Sequence, residues 1–372
     1  VRRASEIGAS HIPIHHMEAI MAATSYGVND ALAVKLWSKK LSVEALKETW
    51  LAKFFGPTSD SLIQIKDETQ KSAGDKITYG LRMQLTGAGT QGDGTLEGNE
   101  EALVTYSDSV LINQTRHAVR SAGRMSQQRV PFSVRDEALS GLRDWWADRT
   151  DTSGFNQLCG YTTQSNTLYS GNNAITAPDT SHRYFATGSA DESQDSSHLF
   201  VLGAIDSAIE KAKTLTPAIR PVRAGGKSYY VGFLHPYQVT DMRASTSTGQ
   251  WLDIQKAAMT GGEIEDNPIF DGSLGVYNGA ILHSDSRVTQ GVNSSTAAAV
   301  TDVRRAILCG AQAGMLAYGQ DNGPTRYTWV EELFDYENEL GVSAGCIYGM
   351  KKTVFNSADF AVVTMSTYAV AH

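Results

Sequence analysis

A chain of 372 residues, 41% hydrophobic and 19% charged, is long enough for two or more packed units and too apolar to be generically disordered. Its 40 acidic and 32 basic residues leave a formal net charge of −8, which argues against a basic surface that grips nucleic-acid backbone. No run of eighteen apolar residues occurs, and Glu6, Pro13 and three histidines stand where a signal peptide would be apolar, so neither a membrane span nor a secreted chain is expected.

Residues 1–30 mix Ser5, Gly8, Pro13 and Gly27 with weak periodicity and read as an extended arm that becomes ordered against other surfaces. Over residues 31–55, Leu32, Leu36, Leu41, Ala45 and Leu46, with Trp37 and Trp50 among lysines, predict one or two short amphipathic helices ending near Gly56 and Pro57. Ile77, Tyr79, Leu81, Met83 and Leu85 alternate with Thr78, Gly80, Arg82 and Gln84, the period of a half-buried strand. Residues 86–98, TGAGTQGDGTLEG, hold five glycines and no lysine or arginine and can pack no core of their own. Val104, Tyr106, Val110 and Ile112 return as a second strand, so the segment is a long hairpin with a glycine-rich tip.

Ser133, with Asp136 three residues on, predicts a helix start, and Val134, Ala138, Leu142, Trp145 and Trp146 carry the helix to about 151. Trp145 lines up with Val134, Ala138 and Leu142 and is expected in the core. Residues 161–198 read as irregular loop. A helix is expected over 197–214, with Val201, Leu202, Ile205, Ala208, Ile209 and Ala212 on one face, then a buried strand over 229–234 and a short helix from Pro236. A further short helix over 251–259 and strands over 275–283 and 303–309 make 197–325 a compact α+β unit. The chain is strand-rich again through Trp329, Val330, Ile347, Tyr348 and Phe360, and these strands are expected to pair with elements before residue 197. Cys159, Cys309 and Cys346 lack paired spacing and read as reduced, buried thiols.

Two fragments match catalytic motifs and fail on context. Gly87, Gly89 and Gly92 spell GxGxxG after a strand, but Asp93, Glu97, Glu100 and Glu101 come next, where a dinucleotide turn needs a helix N-terminus receptive to phosphate. Gly341, Ser343 and Gly345 spell GxSxG, but Cys346 to Tyr348 read as strand and the only later histidine is His372, so the fragment is expected to be a turn between strands. His11, His15 and His16 flank Pro13 with no completing ligand set, so no metal or cofactor is expected. An enzyme or a nucleic-acid-binding module built on the glycine-rich segment is the rival reading, disfavoured by the missing acid–base constellation and the acidic balance.

Several ordered blocks, among them DSLIQIKDETQKSAGDKITYGLRMQLTG, GDGTLEGNEEAL, YSDSVLINQTRHAVRSAGRMSQQRVPF, DWWADRTD and, near the end, WVEELFDYENELGVSAG and YGMKKTVFNSADFAVV, resemble the major capsid proteins of tailed phages with the Hong Kong 97-type fold. The resemblance implies an α+β fold divided into an N-terminal arm (1–60), an extended hairpin loop (61–128), a peripheral domain with a spine helix (129–196), an axial domain (197–325) and closing strands of the peripheral domain (326–372). It implies a structural protein without catalysis or cofactor, assembled in the host bacterial cytoplasm as hexamers and pentamers of an icosahedral virion shell. That shell would enclose double-stranded DNA touched only weakly, with room for cement or decoration protein, scaffold and portal, and no membrane. The hairpin tip, Gly87, Gly89, Gly92, Asp93, Gly94, Glu97 and Gly98, would contact a neighbouring subunit. An isopeptide cross-link of the kind one relative forms, from Lys66, Lys71 or Lys76 to Asn356, is not singled out by the local wording.

Overall fold

A computed structural model describes residues 31–67, 75–81, 87–101, 106–129, 133–224, 226–244, 273–319 and 326–372. The arm over 1–30 with its three histidines, the helix over 251–259, Lys71, Met83 and Leu85 lie outside the described residues.

The helical N-terminal segment is α1 (Ala31–Glu48) followed by a 3-10 turn at Trp50–Phe54. Leu41 and Ala45, one turn apart, are fully buried, while Leu36 on another face is exposed. Trp37 stacks on Trp329 with ring centroids 5.7 Å apart, so this segment is docked on the body of its own chain. After β1 (Phe55–Gly56) and β2 (Ile63–Lys66), β3 (Lys76–Leu81) pairs antiparallel with β4 (Tyr106–Leu111), Ile77 opposite Val110. Ile77, Tyr79 and Leu81 are buried and their neighbours exposed, as the alternation predicts. The second hairpin strand then runs, with only Ile112 between, into β5 (Asn113–Arg120).

A five-residue helix, α2 (Arg124–Gln128), precedes the long helix α3 (Val134–Leu158). Ser133 caps α3, its hydroxyl accepting from the Asp136 N–H. The helix runs two turns past the expected end near 151 because its polar C-terminal half is held by tertiary hydrogen bonds. Asp151 accepts the Trp50 and Leu51 N–H groups, both at 2.9 Å, and Gln157 donates to Ser170 O and Asn173 O. The core expectation for Trp145 is corrected: Trp146 is the buried ring, 1% exposed, edge-on to Tyr327 and Tyr348. The buried arc runs through Ala138, Leu139, Leu142, Trp146 and Thr150, and Trp145, one residue off it, stacks half-buried on His117.

Residues 160–198 are irregular apart from short turns and β6 (Arg183–Phe185). Next come α4 (Leu202–Thr214), β7 (Val222–Ala224), β8 (Lys227–Leu234), α5 (Pro236–Ala244), β9 (Gly275–Tyr277), β10 (Ala280–Ser284), β11 (Gln290–Val292) and β12 (Ala299–Cys309). α4 starts five residues later than expected, because Asp195 closes a turn by accepting from Ser197 N and pairing with His198. The chain ends in β13 (Gly314–Tyr318), β14 (Thr328–Phe334), β15 (Glu339–Lys352), β16 (Val354–Phe355), β17 (Ala358–Asp359) and β18 (Val362–Tyr368).

Two sheets organise these strands. The first joins β1, β2, β13, β15 and β14, with β5 also on β15; α1 and α3 pack against it. The second joins β6, β18, β12, β8, β10 and β9, with β7 and β11 attached, and α4 packs on it. Pairing crosses residue 325 both ways: β13 joins the first sheet, and β18 pairs along its length with β12 of the second. Of the terminal strands, β15 does pair with β5, and β18 with β6, both from before residue 197. Phe54 of the 3-10 turn and Phe155 of α3 interlock with Phe233 and His283 of the second sheet, within one continuous core. The buried Arg305 guanidinium ties the loop to β12 through Asp191 at 2.6 Å and Gly160 O at 2.7 Å. All three cysteines are free and buried.

Two consequences are measurable. A Cβ on Gly349 would stand 2.0 Å from the Leu111 carbonyl oxygen, a backbone atom fixed where the hairpin enters the sheet, so Gly349→Ala should destabilise the subunit by about 1 to 3 kcal/mol in denaturant unfolding. Burial pushes the Asp151 carboxyl up to about 6, against the pull of the two N–H groups and Arg287. A carboxyl raised in the folded state stabilises it most below the unfolded value near 4 and loses that contribution as pH rises through about 6. The stability difference between the parent and Asp151→Asn should therefore shift against the parent by about 2 to 3 kcal/mol between pH 4 and pH 7, read by urea unfolding at each pH.

Candidate subunit interface

The hairpin is tied down at its base and exposed at its tip. At the base, Asp108 accepts from Lys351 Nζ at 2.6 Å, from Val354 N at 3.1 Å and from the Tyr79 hydroxyl at 3.1 Å, tying β4 to the end of β15. Burial and the Asp108 charge raise the Tyr79 phenol far above its usual value, so it stays a donor. Asn173 clasps Leu111 from the other side, accepting its N–H and donating to its carbonyl, both at 2.9 Å. These groups fix the direction in which the hairpin leaves the body.

Every residue from 87 to 101 is exposed. Glu101 accepts the Gly87 N–H and Glu100 the Gly98 N–H, each at 2.7 Å, and Asn99 donates to Thr95 O at 2.8 Å, so the tip is shaped by bonds within itself. The predicted contact residues Gly87, Gly89, Gly92, Asp93, Gly94, Glu97 and Gly98 all lie on this tip, and Gly89, Gly92 and Gly98 take positive φ, where a side chain would be strained. The glycine pattern leads into a turn at 92–93 and not into a helix, so it forms no phosphate-binding N-terminus. Asp93, Glu97, Glu100 and Glu101 give the tip four carboxylates and no cation. Leu96, 59% exposed, is the tip's one large apolar side chain; its neighbouring glycines and acids masked it in the sequence.

The second catalytic-looking fragment is corrected as well. Gly341, Ser343 and Gly345 sit inside β15, paired on both sides by β14 and β5, and not at a turn; Ser343 Oγ donates to Val330 O at 3.3 Å. Asn356, by contrast, lies in the two-residue turn between β16 and β17 with φ of 47°. Among the described residues no group of histidine, cysteine and carboxylate side chains is arranged to hold a metal, and no helix is long and apolar enough to cross a membrane.

A body of two sheets around a long helix, with a hairpin whose acidic tip is exposed, is the architecture of the Hong Kong 97-like capsid fold, and solved capsids agree. The capsid of Ralstonia phage GP4 superposes with a TM-score of 0.77 and 31% identity, covering 97% of this chain and 99% of that one. The Cyanophage Pam1 capsid gives 0.66 at 21% identity over 88% and 94%. The major capsid protein of Pseudomonas phage KPP25 is 27% identical over 367 residues, 89% of this chain and 93% of its own length. The phage capsid protein family model matches residues 25–371, and the chain belongs to that family. It is a major capsid protein of a phage, a structural subunit whose copies form the capsid shell of the virion.

Proposed function

We propose that the subunit assembles in the host cytoplasm into hexameric and pentameric capsomers of an icosahedral head around double-stranded DNA, and that it performs no catalysis. The observation that carries this reading is the hairpin: a segment exposed at every residue from 87 to 101, held out by a tied base, is an unfinished surface in a single subunit. An extended element that cannot be stable alone gains order by lying on another copy, as in permanent assemblies.

In this reading the tip from Gly87 to Gly98 is the inter-subunit contact. α3 with the first sheet forms the peripheral domain, and the second sheet with α4 the axial domain around the local symmetry axis. The strand pairing supports giving β13 to the peripheral domain and β18 to the axial one. The formal charge of −8 supports a shell that contacts its DNA weakly and leaves decoration protein, scaffold and portal to other surfaces. Electron microscopy of the purified chain tests the reading: closed shells, or rings of six and five, are expected, whereas uniform monomers or dimers at high concentration would contradict it.

A further inference from the structure

The outer face of the first sheet holds a groove over Gly341 and Ser343, two residues of the fragment that mimics a hydrolase motif. Val342 and Ala344 face inward with Trp329 and Glu331, all buried. Ser343 faces outward in register with Ala118 of β5 and Val330 of β14, and with no larger side chain on β15 between them the sheet is hollowed into an apolar groove of about 250 Å³. Phe334 closes the end over Gly341, and past the Ser343 end, outside the groove itself, the Arg116 side chain lies across Gly345. Val330 remains 48% exposed at the rim, an apolar surface that water leaves uncompensated.

The ends differ in charge. At the Phe334 end Arg120 is neutralised by Glu339, and Glu332 adds a negative group. Beyond the Ser343 end, Arg116, in register with Gly345, is exposed and has no carboxylate within ion-pair distance among the described residues. The hairpin tip presents the complement: Leu96, exposed, with Glu97 beside it and no cation in the tip. The tip leaves Leu96 out in solvent in its own subunit while the Asp108 and Asn173 ties hold the hairpin base, so the occupant is a second copy.

We propose that Leu96 of one copy seats in the Ala118–Ser343–Val330 groove of a second copy, with Glu97 turned toward that copy's Arg116. The inference rests on the reading of the hairpin as an assembly element and names its receptor. The apolar anchor supplies desolvated contact and the ion pair fixes which way the tip lies.

The three native cysteines are buried, so an engineered pair can be read cleanly. Shells of Leu96→Cys/Ser343→Cys, mildly oxidised, should give covalent chains of subunits on a non-reducing gel, and neither single variant should. Shells of the double variant without such chains overturn the groove, even where a shortened hairpin still abolishes assembly and so leaves the hairpin reading standing. If the cysteine pair itself blocks assembly, the charge exchange decides. Arg116→Glu should lower shell yield at least about tenfold, and Glu97→Arg in the same chain should restore it. A double variant no better than Arg116→Glu overturns the proposal.

Discussion

Trp146→Ala should destabilise the dissociated subunit by about 3 to 5 kcal/mol, the scale for emptying a large aromatic site in a packed core. The ring is 1% exposed and touches Trp145, Tyr327 and Tyr348 edge-on, with centroids 4.9, 5.1 and 5.9 Å away. Those partners come from α3, the segment before β14 and β15, so the loss would loosen the helix from its sheet and not only leave a hole. Trp145→Ala should cost about 1 kcal/mol, because that ring is half-buried between His117 and Arg149 and its neighbours can close over the gap. Trp146→Phe is the control. It keeps most of the buried ring and removes an indole N–H that has no acceptor among the described residues, so it should recover most of the stability. Denaturant unfolding of the three variants ranks them, and equal losses at 145 and 146 would mean that α3 does not bury Trp146 in preference to Trp145.

The two tryptophans show where sequence reading reaches its limit. Period and capping place α3 and its Ser133 start, because both are set by residues within one turn of each other. They cannot separate Trp145 from Trp146, since both come after Leu142 at helical spacing and the choice depends on where β15 and Tyr327 lie. The last turns of α3 are hidden for a related reason: Asp151 and Gly154 are poor residues for a helix interior, and what holds the segment, the N–H groups of Trp50 and Leu51 on Asp151 and the carbonyls of Ser170 and Asn173 on Gln157, comes from elsewhere in the chain. The β3–β4 hairpin is legible from alternation and glycine content. The partners of β13 and β18 are not, because register between distant strands is set by core packing and not by local pattern. Residues 341–345 read as a turn on their glycines, whereas Gly341 and Gly345 lie in a strand where the Phe334 ring and the Arg116 stem pass close overhead.

Replacing residues 87–98 with a two-residue Asn-Gly turn should separate folding from assembly. No side chain in that stretch is buried, and the ties that fix the hairpin, Asp108 to Lys351 and Asn173 to Leu111, lie in β4 below the cut. The subunit core therefore loses nothing, and a shorter loop carries slightly less closure entropy. The tip takes with it Leu96 and the carboxylates Asp93 and Glu97. A rim ion pair contributes only about 0 to 1 kcal/mol, but the same loss recurs at every copy of a closed shell. The decisive measurement is electron microscopy of the shortened subunit beside its thermal unfolding. The expected result is a melting temperature within about 2 °C of the parent and no closed shells at a concentration where the parent assembles fully. Normal shells from the shortened subunit, or a subunit that no longer folds, would contradict it.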